Sequence, residues 1–363
     1  MPALDVDLLY LFRLLCDRPK TFLHLLTHFG SAEAVFDAPE DEILCQCRLD
    51  IAALRKAREL FQRDVEKDVA WLQEPDHHLI CIDQPDYPAL LKEIHDPPVL
   101  LFGCGDKSVL ENSSIAMVGS RSPTRTGLAN AQLLSGQLSS VGLTIVSGMA
   151  LGIDAACHQG ALLAGAKTIA VLGTGCDIVY PARHQGLAHD ISRLGLLLSE
   201  FPLRVRAAPH HFPRRNRVVT GLSLGTIVVE AALKSGSLIS ARCAMEQGRE
   251  VFAIPGAINN RHARGCHQLI RDGATLVENA QDVLEQLSFV ADRALASTPV
   301  QPLTGHQQLV ASILDGEPQN TDQLEAQLGL SINEVLCALV ELEVAGLVVQ
   351  ERGGYVSLKP DDV

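Results

Sequence analysis

The chain has 363 residues, of which 47% are hydrophobic and 4% aromatic, and its formal net charge at pH 7 is −13. That length suffices for two or three domains with well-formed cores. The sequence has no apolar stretch of the roughly 18 residues that a membrane helix requires, and no basic segment leads into an apolar run at its start, so we expect neither a membrane span nor a signal peptide. Its ten cysteines form no CxxC pair, which predicts reduced thiols in the cytoplasm and no metal site.

The charge changes sign along the chain. Residues 1–110 carry 11 Lys and Arg against 20 Asp and Glu, and residues 281–363 carry 3 against 13. Residues 111–280 carry 16 against 10, which is a net charge of +6. The middle region could therefore bind a polyanion, whereas the two end regions should not. In an alternative interpretation, the basic and acidic regions only attract each other.

Residues 1–75 are predicted to form a helical module. Apolar stripes over 8–15 and 23–29 have helical spacing, and Gly30-Ser31 is typical of one helix ending and the next beginning. Residues 51–72 are predicted to form one longer amphipathic helix. Such a module could be SAM-like or a DNA-binding helix-hairpin-helix. Because its turn lacks Gly-x-Gly and its charge is negative, we interpret it as a packing or protein-contact module.

The second predicted domain covers residues 76–290. Its proline-rich beginning, up to residue 110, is predicted to be irregular. Short apolar runs then alternate with helical stretches, which predicts an α/β fold: a doubly wound, Rossmann-like parallel sheet covered by helices on both faces. The predicted strands are Ile115–Val118, Leu143–Ser147, Thr168–Leu172, Leu196–Ser199, Thr226–Glu230, Glu250–Ile254 and Ala274–Val277.

Residues 291–303 are predicted to be a linker, and residues 304–363 a winged-helix module of three helices and a hairpin. The third helix, in the position of a recognition helix, carries Glu334, Glu341 and Glu343 and no Lys or Arg. Because a helix that reads the major groove normally needs positive charge, we expect this module not to read duplex DNA.

Four glycine-containing loops follow strand-like runs in the middle region. They contain Gly119-Ser120-Arg121, Gly148, Gly173 and Lys234-Ser235-Gly236-Ser237. In an open parallel sheet such loops gather at the carboxyl edge, where backbone N–H groups and helix N-termini attract anions. The set predicts an anion-binding cleft. None of the loops matches a P-loop or a dinucleotide fingerprint, so we expect neither a nucleotide cofactor nor NTP hydrolysis.

The arginine-rich segment, residues 201–217, is the most unusual stretch of the sequence. It contains five arginines and two histidines and no carboxylate, with Phe212 inside it. Guanidinium groups suit a phosphate backbone, and an aromatic ring suits an unstacked base.

Three other features could be catalytic. Asp154 and His158 lie four residues apart on a predicted helix and could form a general base with its orienting group, although a structural role is favoured. Glu230 could be a catalytic carboxylate or a hydrogen-bond acceptor at a strand end. Gly265-Cys266-His267 is interpreted as a turn.

Taken in order, several motifs resemble those of the DprA (Smf) family of bacterial DNA-processing proteins, densely over residues 80–280. The motifs are Val118–Arg121, Ser147–Asp154, Ala170–Gly175, Phe212–Arg217, Ser235–Ser237 and Gln247–Gly256. The resemblance implies a cytoplasmic protein without a catalytic cycle or cofactor. It would bind and protect incoming single-stranded DNA, load the RecA recombinase during natural transformation, and form a homodimer through the Rossmann-like domain.

The resemblance also implies a DNA pocket at the glycine-loop edge. The nucleic-acid-binding residues implied are Gly119, Ser120, Arg121, Gly148, Lys167, Phe212, Arg214, Arg215, Asn216, Arg217, Lys234, Ser235 and Ser237. The first loop would hold a phosphate, the arginines after Pro213 would continue the phosphate track, and Phe212 would stack on a base. Asn216 would bond a base edge or fix a loop.

Two other functions remain open from the sequence. Glycine loops beside Glu230 also resemble nucleoside-monophosphate phosphoribohydrolases, which cleave a base from a nucleotide. The length of the arginine-rich segment disfavours this interpretation, because a mononucleotide needs fewer contacts. The third possibility is a scaffold whose basic face contacts only an acidic protein domain.

Overall fold

The computed structural model describes residues 5–47, 49–287, 305–314, 319–344, 348–351 and 354–357. The chain forms two compact units, residues 1–291 and 292–363. The predicted linker at 291–303 lies outside the described residues.

The first unit is built on one sheet of nine strands in the order β1-β2-β6-β5-β4-β3-β7-β8-β9. The strands are β1 His77–Cys81, β2 Leu100–Gly105, β3 Ser114–Val118, β4 Thr144–Ser147, β5 Thr168–Val171, β6 Leu196–Ser199, β7 Gly225–Val228, β8 Glu250–Ala253 and β9 Thr275–Leu276. In the part of the sheet from β6 through β5, β4, β3, β7 and β8 to β9, every neighbouring pair of strands is parallel. Strand β2 is antiparallel to both of its neighbours, β1 and β6. The prediction of a doubly wound, Rossmann-like parallel sheet is confirmed.

Helices cover both faces of this sheet. They are α1 Val6–Leu15, α2 Pro19–Phe29, α3 Ala32–Asp37, α4 Glu40–Gln46, α5 Ile51–Leu60, α6 Gln62–Leu72, α7 Ala89–Lys92, α8 Arg125–Ser140, α9 Ile153–Leu163, α10 Gln185–Leu194, α11 His211–Gly221, α12 Ser237–Glu246, α13 Arg264–Arg271 and α14 Ala280–Gln286. Alternate strand residues point to opposite faces, so Leu101 packs in one core while Phe102 packs in another. None of the helices in the described ranges is long and apolar enough to cross a bilayer.

The helical module, as far as the structure describes it, packs directly on the sheet. Leu9, Phe12 and Leu15 of α1 belong to the same buried cluster as Phe102 of β2 and Leu172 after β5. The junction at Gly30-Ser31 forms as predicted: Gly30 has φ +82° at the end of α2, and the Ser31 hydroxyl accepts a bond from the N–H of Ala34 at the start of α3. The module therefore shares a hydrophobic core with the Rossmann-like domain.

Three predictions of local structure are wrong. The stretch before residue 110 is not irregular, because β1 and β2 form an antiparallel edge of the sheet there. Residues 51–72 form two helices, α5 and α6, because the backbone leaves the helical region at Phe61. Gly265-Cys266-His267 lies inside α13 and is not a turn.

The second unit has the predicted winged-helix outline. It contains α15 Gly305–Ile313, α16 Thr321–Leu328, α17 Ile332–Val344 and the hairpin strands β10 Val348–Glu351 and β11 Gly354–Ser357. Val310, Leu324, Leu339 and Val348 are buried in its core.

Candidate nucleic-acid interface

The strand order reverses between β3 and β7, so the loops that follow these two strands diverge at the carboxyl edge. An open α/β sheet binds its ligands at such a switch point. A cleft of about 650 Å³ lies there. Its lining residues come from the end of β3, from the loops after β3, β4, β5, β6 and β7, and from α9, α11 and α12. They are Val118–Ser122, Gly148, Ala150, Asp154, Tyr180, Pro209, Phe212, Pro213, Arg215, Asn216, Val219, Ser235–Ser237, Ile239 and Ser240.

The loop after β3 is held in place by Glu230, which follows β7. The Glu230 carboxylate accepts bonds from the Thr124 N–H at 2.9 Å and from the Thr124 hydroxyl at 2.6 Å. Thr124 in turn caps α8 by accepting a bond from the N–H of Gly127. A Cβ at Gly127 would lie 2.5 Å from the Glu230 carboxyl carbon, so a larger residue there would push this carboxylate away from Thr124. The structure thus gives Glu230 the role of a strand-end acceptor rather than of a free carboxylate.

The loops after β3 and β4 touch each other closely. The Ser120 carbonyl accepts a bond from the N–H of Ile153, the first residue of α9, at 3.1 Å. A Cβ at Gly152 would lie 2.4 Å from that carbonyl oxygen, and the φ of Gly152 is +81°. Both the close approach and the positive φ require glycine at this position. The Ser120 hydroxyl accepts a bond from the N–H of Ser122 and lies 3.4 Å from Nδ1 of His262. The cleft is therefore bordered by a rigid pair of loops.

Arg215 forms part of the cleft floor. Its side chain is buried, and its guanidinium donates to the carbonyls of Gly148 and Val171. The guanidinium fills the space where a side chain at position 148 would begin, because a Cβ at Gly148 would lie 2.4 Å from an Arg215 nitrogen. Burial lowers the pKa of Arg215 to about 10, so it remains charged at neutral pH. Burial also raises the pKa of Asp154, which is the only carboxylate among the lining residues.

Helix α11 presents one face to the cleft and another away from it. Phe212, Asn216 and Val219, at helical spacing, line the cleft. Arg214 and Arg217 lie on a different face, where both donate to the buried carboxylate of Glu200. Neither is a lining residue of the cleft, and the predicted phosphate track along consecutive arginines is therefore interrupted. The reason is the helical period, which separates Arg214 and Arg217 from the cleft-facing positions.

Further carboxylates bind these two arginines and Arg204. Arg214 also donates to Asp17 at 3.1 Å and to the Cys16 carbonyl at 2.7 Å, both in the helical module. Arg204 donates to Asp64 at 3.1 Å and to Asp68 at 2.7 Å. Three of the five arginines of the arginine-rich segment are thus neutralised within the protein.

The aromatic corner of the cleft consists of Phe212, Tyr180 and the guanidinium of Arg121. The Arg121 guanidinium carbon lies 5.2 Å from the Phe212 ring centroid, which is cation–π distance. The Tyr180 and Phe212 centroids are 5.6 Å apart with the rings tilted by 39°. Phe212 also packs on Gly173, where a Cβ would lie only 3.0 Å from its ring. The third glycine loop therefore accommodates an aromatic ring rather than an anion.

Two predicted lysines lie outside the set of lining residues. Lys167 precedes β5 and so lies at the amino edge of the sheet, where its ammonium pairs with Asp106 at 2.6 Å. Lys234 is exposed beside Ser235, but its side chain does not line the cleft. The structure brings together Gly119, Ser120, Arg121, Gly148, Phe212, Arg215, Asn216, Ser235 and Ser237.

Asp154 and His158 bind different partners. The Asp154 carboxylate accepts a bond from the N–H of Ala150, whereas Nδ1 of the buried His158 lies 2.8 Å from the Thr168 hydroxyl. That hydroxyl donates to the carbonyl of Ile145, so it must accept from His158, which fixes the Nδ1–H tautomer. The favoured structural interpretation of these residues agrees with these bonds. Within the described ranges, no group of three His, Cys, Asp or Glu residues could hold a metal ion.

Sequence reasoning missed Tyr180 and Pro209. Tyr180 is half exposed on the cleft, seven residues beyond Gly173, and the loop after β5 carries it there. A search of the whole loop for aromatic residues, instead of its glycines alone, would have found it. The Pro209 side chain has no charged, polar or aromatic group that would indicate a binding residue, and its position at the cleft is evident only from the folded structure.

Comparisons with known proteins show the family of the chain. The family profile described as DNA recombination-mediator protein A matches residues 78–288, and that of the DprA winged helix domain matches residues 294–354. The protein Smf of Escherichia coli K12 is 38% identical over 343 residues, which is 92% of this chain and 91% of that protein.

Two solved structures are similar as well. The crystal structure of DNA processing protein A from Streptococcus pneumoniae is 37% identical, with a TM-score of 0.69, over 78% of this chain and 98% of that one. DNA processing protein A from Helicobacter pylori, solved for its single-stranded DNA binding mode, is 31% identical with a TM-score of 0.53, over 58% of this chain and 96% of that one.

Proposed function

The chain belongs to the family of DNA recombination-mediator protein A, and on that premise we propose that its cleft binds single-stranded DNA. The observation that carries the proposal is the convergence of Arg121, an aromatic corner and the Ser235–Ser237 helix start on one open cleft. Guanidinium and N–H donors attract phosphates, while aromatic rings accept bases without regard to sequence. We therefore infer a preference for single strands and little preference for sequence.

The finer parts of the proposal come from the family. The protein would protect incoming DNA in the cytoplasm during natural transformation, load the RecA recombinase onto it, and act as a homodimer. DNA processing proteins from Streptococcus pneumoniae and Helicobacter pylori support the DNA-processing role by similarity.

We further propose that the cleft binds its ligand without turnover. The carboxylate that a phosphoribohydrolase would require, Glu230, is engaged by Thr124 and faces Asn260 at 3.4 Å. Asp154, the other acidic candidate, is buried beside Arg215. Incubation with nucleoside monophosphates should release no free base, and turnover that Glu230→Ala abolishes would favour the enzymatic alternative.

Fluorescence anisotropy with labelled single- and double-stranded oligonucleotides over a salt series tests the proposal. The single strand should bind more tightly, and its affinity should fall with rising salt because bound cations are released. Arg121→Ala should weaken binding and reduce the slope of log K against log salt by about 0.7, the value for one phosphate contact on a single strand.

The matched control is Arg193→Ala. Arg193 is also an exposed arginine, but it lies beside Asp106 and Cys104, away from the residues that line the cleft. Both variants remove one positive charge, so a difference between them measures position rather than net charge. Equal salt slopes for the two variants would contradict the assignment of Arg121 to a phosphate.

A further inference from the structure

Tyr180 is an exposed aromatic residue on the cleft, and the residue as a whole is 50% exposed. Among the described residues, every other Phe, Tyr and Trp is at least partly buried. Isolated exposed aliphatic side chains are ordinary on protein surfaces, but an exposed aromatic ring on a ligand cleft is an available stacking surface.

Phe212, the aromatic predicted from the sequence, is more enclosed than Tyr180. Its ring packs on Gly173, the Arg121 guanidinium lies 5.2 Å from its centroid, and Tyr180 lies alongside. The two aromatic centroids are 5.6 Å apart, which is contact distance for an aromatic pair and leaves no space for a base between them. Of the two rings, that of Tyr180 is therefore the more accessible from the cleft, because Arg121 and Tyr180 itself already lie against Phe212.

We propose that Tyr180 is a base-stacking residue of the cleft and that Phe212 supports its ring from behind. This inference rests on the proposed function, because it assumes that the cleft binds single-stranded DNA and names the part of the DNA that Tyr180 contacts. The ligand is an unpaired nucleobase of a single strand, and the contact is made by the ring rather than by the hydroxyl. Arg121 then binds the adjoining phosphate, so within the aromatic corner Tyr180 contacts the base and Arg121 contacts the backbone.

Binding of a fluorescein-labelled oligothymidylate and of an abasic oligomer of equal length tests the assignment. Tyr180→Ala should weaken oligothymidylate binding by about 5- to 150-fold, the range that one stacked base contributes. Tyr180→Phe should bind as the parent protein does, because the ring is retained. The abasic oligomer should bind equally to all three proteins, and the salt slope should not change, because no phosphate contact is lost.

Leu163→Ala is the control, since Leu163 is 83% exposed at the end of α9 and does not line the cleft. The assignment is overturned if Tyr180→Ala binds oligothymidylate as the parent does, if it loses the abasic oligomer equally, or if Tyr180→Phe loses as much as Tyr180→Ala. Failure of the parent protein to bind either oligomer would instead overturn the proposed function. Tyr180→Phe also guards against a folding defect, because it preserves the packing on Phe212.

Discussion

Asp68→Asn should destabilise the first unit by about 3–5 kcal/mol, the cost of breaking a buried ion pair. The Asp68 side chain is 1% exposed and accepts bonds from Arg13 at 2.6 and 2.7 Å and from Arg204 at 2.7 Å. Asparagine keeps the shape, but it removes the charge that compensates two guanidinium groups and turns an amide N–H toward one of their donors. Urea unfolding followed by the fluorescence of Trp71, the single tryptophan, measures the loss.

Asp7→Asn provides the control for this prediction. Asp7 also accepts two bonds of 2.7 Å from one arginine, Arg58, and lies in the same module, but the two side chains are 21% and 44% exposed. An exposed pair contributes about 0.2–1 kcal/mol, so Asp7→Asn should cost that little. If the two variants unfold at the same urea concentration with equal slopes, burial of the Arg13–Asp68–Arg204 cluster does not stabilise the fold and the reasoning is refuted.

Three further predictions concern the site and its surroundings. Burial lowers the pKa of His158 to about 3, so His158 stays neutral in the folded protein, whereas the unfolded chain takes up a proton below about pH 6.5. The free energy of unfolding should therefore fall by about 2 kcal/mol from pH 7 to pH 5. Urea titrations at the two pH values should show that His158→Gln removes this part of the loss. Gly148→Ala should cost about 1–3 kcal/mol and weaken single-stranded DNA binding, because a methyl group displaces the Arg215 guanidinium; unchanged melting and affinity would contradict the close contact. Lys167→Ala should change the affinity for single-stranded DNA by no more than about twofold, since the Lys167 ammonium pairs with Asp106 at the amino edge of the sheet. A tenfold loss measured by anisotropy would show that Lys167 contacts the DNA.

The sequence predicted the sheet and the position of the cleft because both depend on local patterns. Continuous apolar runs such as Ile115–Val118 mark buried parallel strands, and loops after them must gather at one edge. The antiparallel strands β1 and β2 were missed, since prolines beside them suggested an irregular path. Their pairing depends on contacts between distant residues, which no short pattern encodes.

The arginine-rich segment shows where charge counting fails. Its five arginines look equivalent in the sequence, but the helical period of α11 turns Arg214 and Arg217 toward Glu200, and Arg204 reaches Asp68. The partners come from the end of β6 and from α6, and only the tertiary fold brings them near. Arg121 was placed correctly at the cleft because it lies in the short loop after β3, and its contact with DNA stays a prediction.

The core that α1 shares with β2 and the loop after β5 sets a limit on truncation. A fragment that began near residue 76, where a domain boundary is predicted, would lose the cover over Phe102 and Leu172. It would also leave the Arg204 and Arg214 guanidinium groups without Asp68 and Asp17. Exposed apolar area of this kind promotes aggregation, so a loss of DNA binding in such a fragment has to be checked against its fold before it is assigned to a missing binding residue. A fragment that begins before α1 keeps both the apolar cover and these ion pairs.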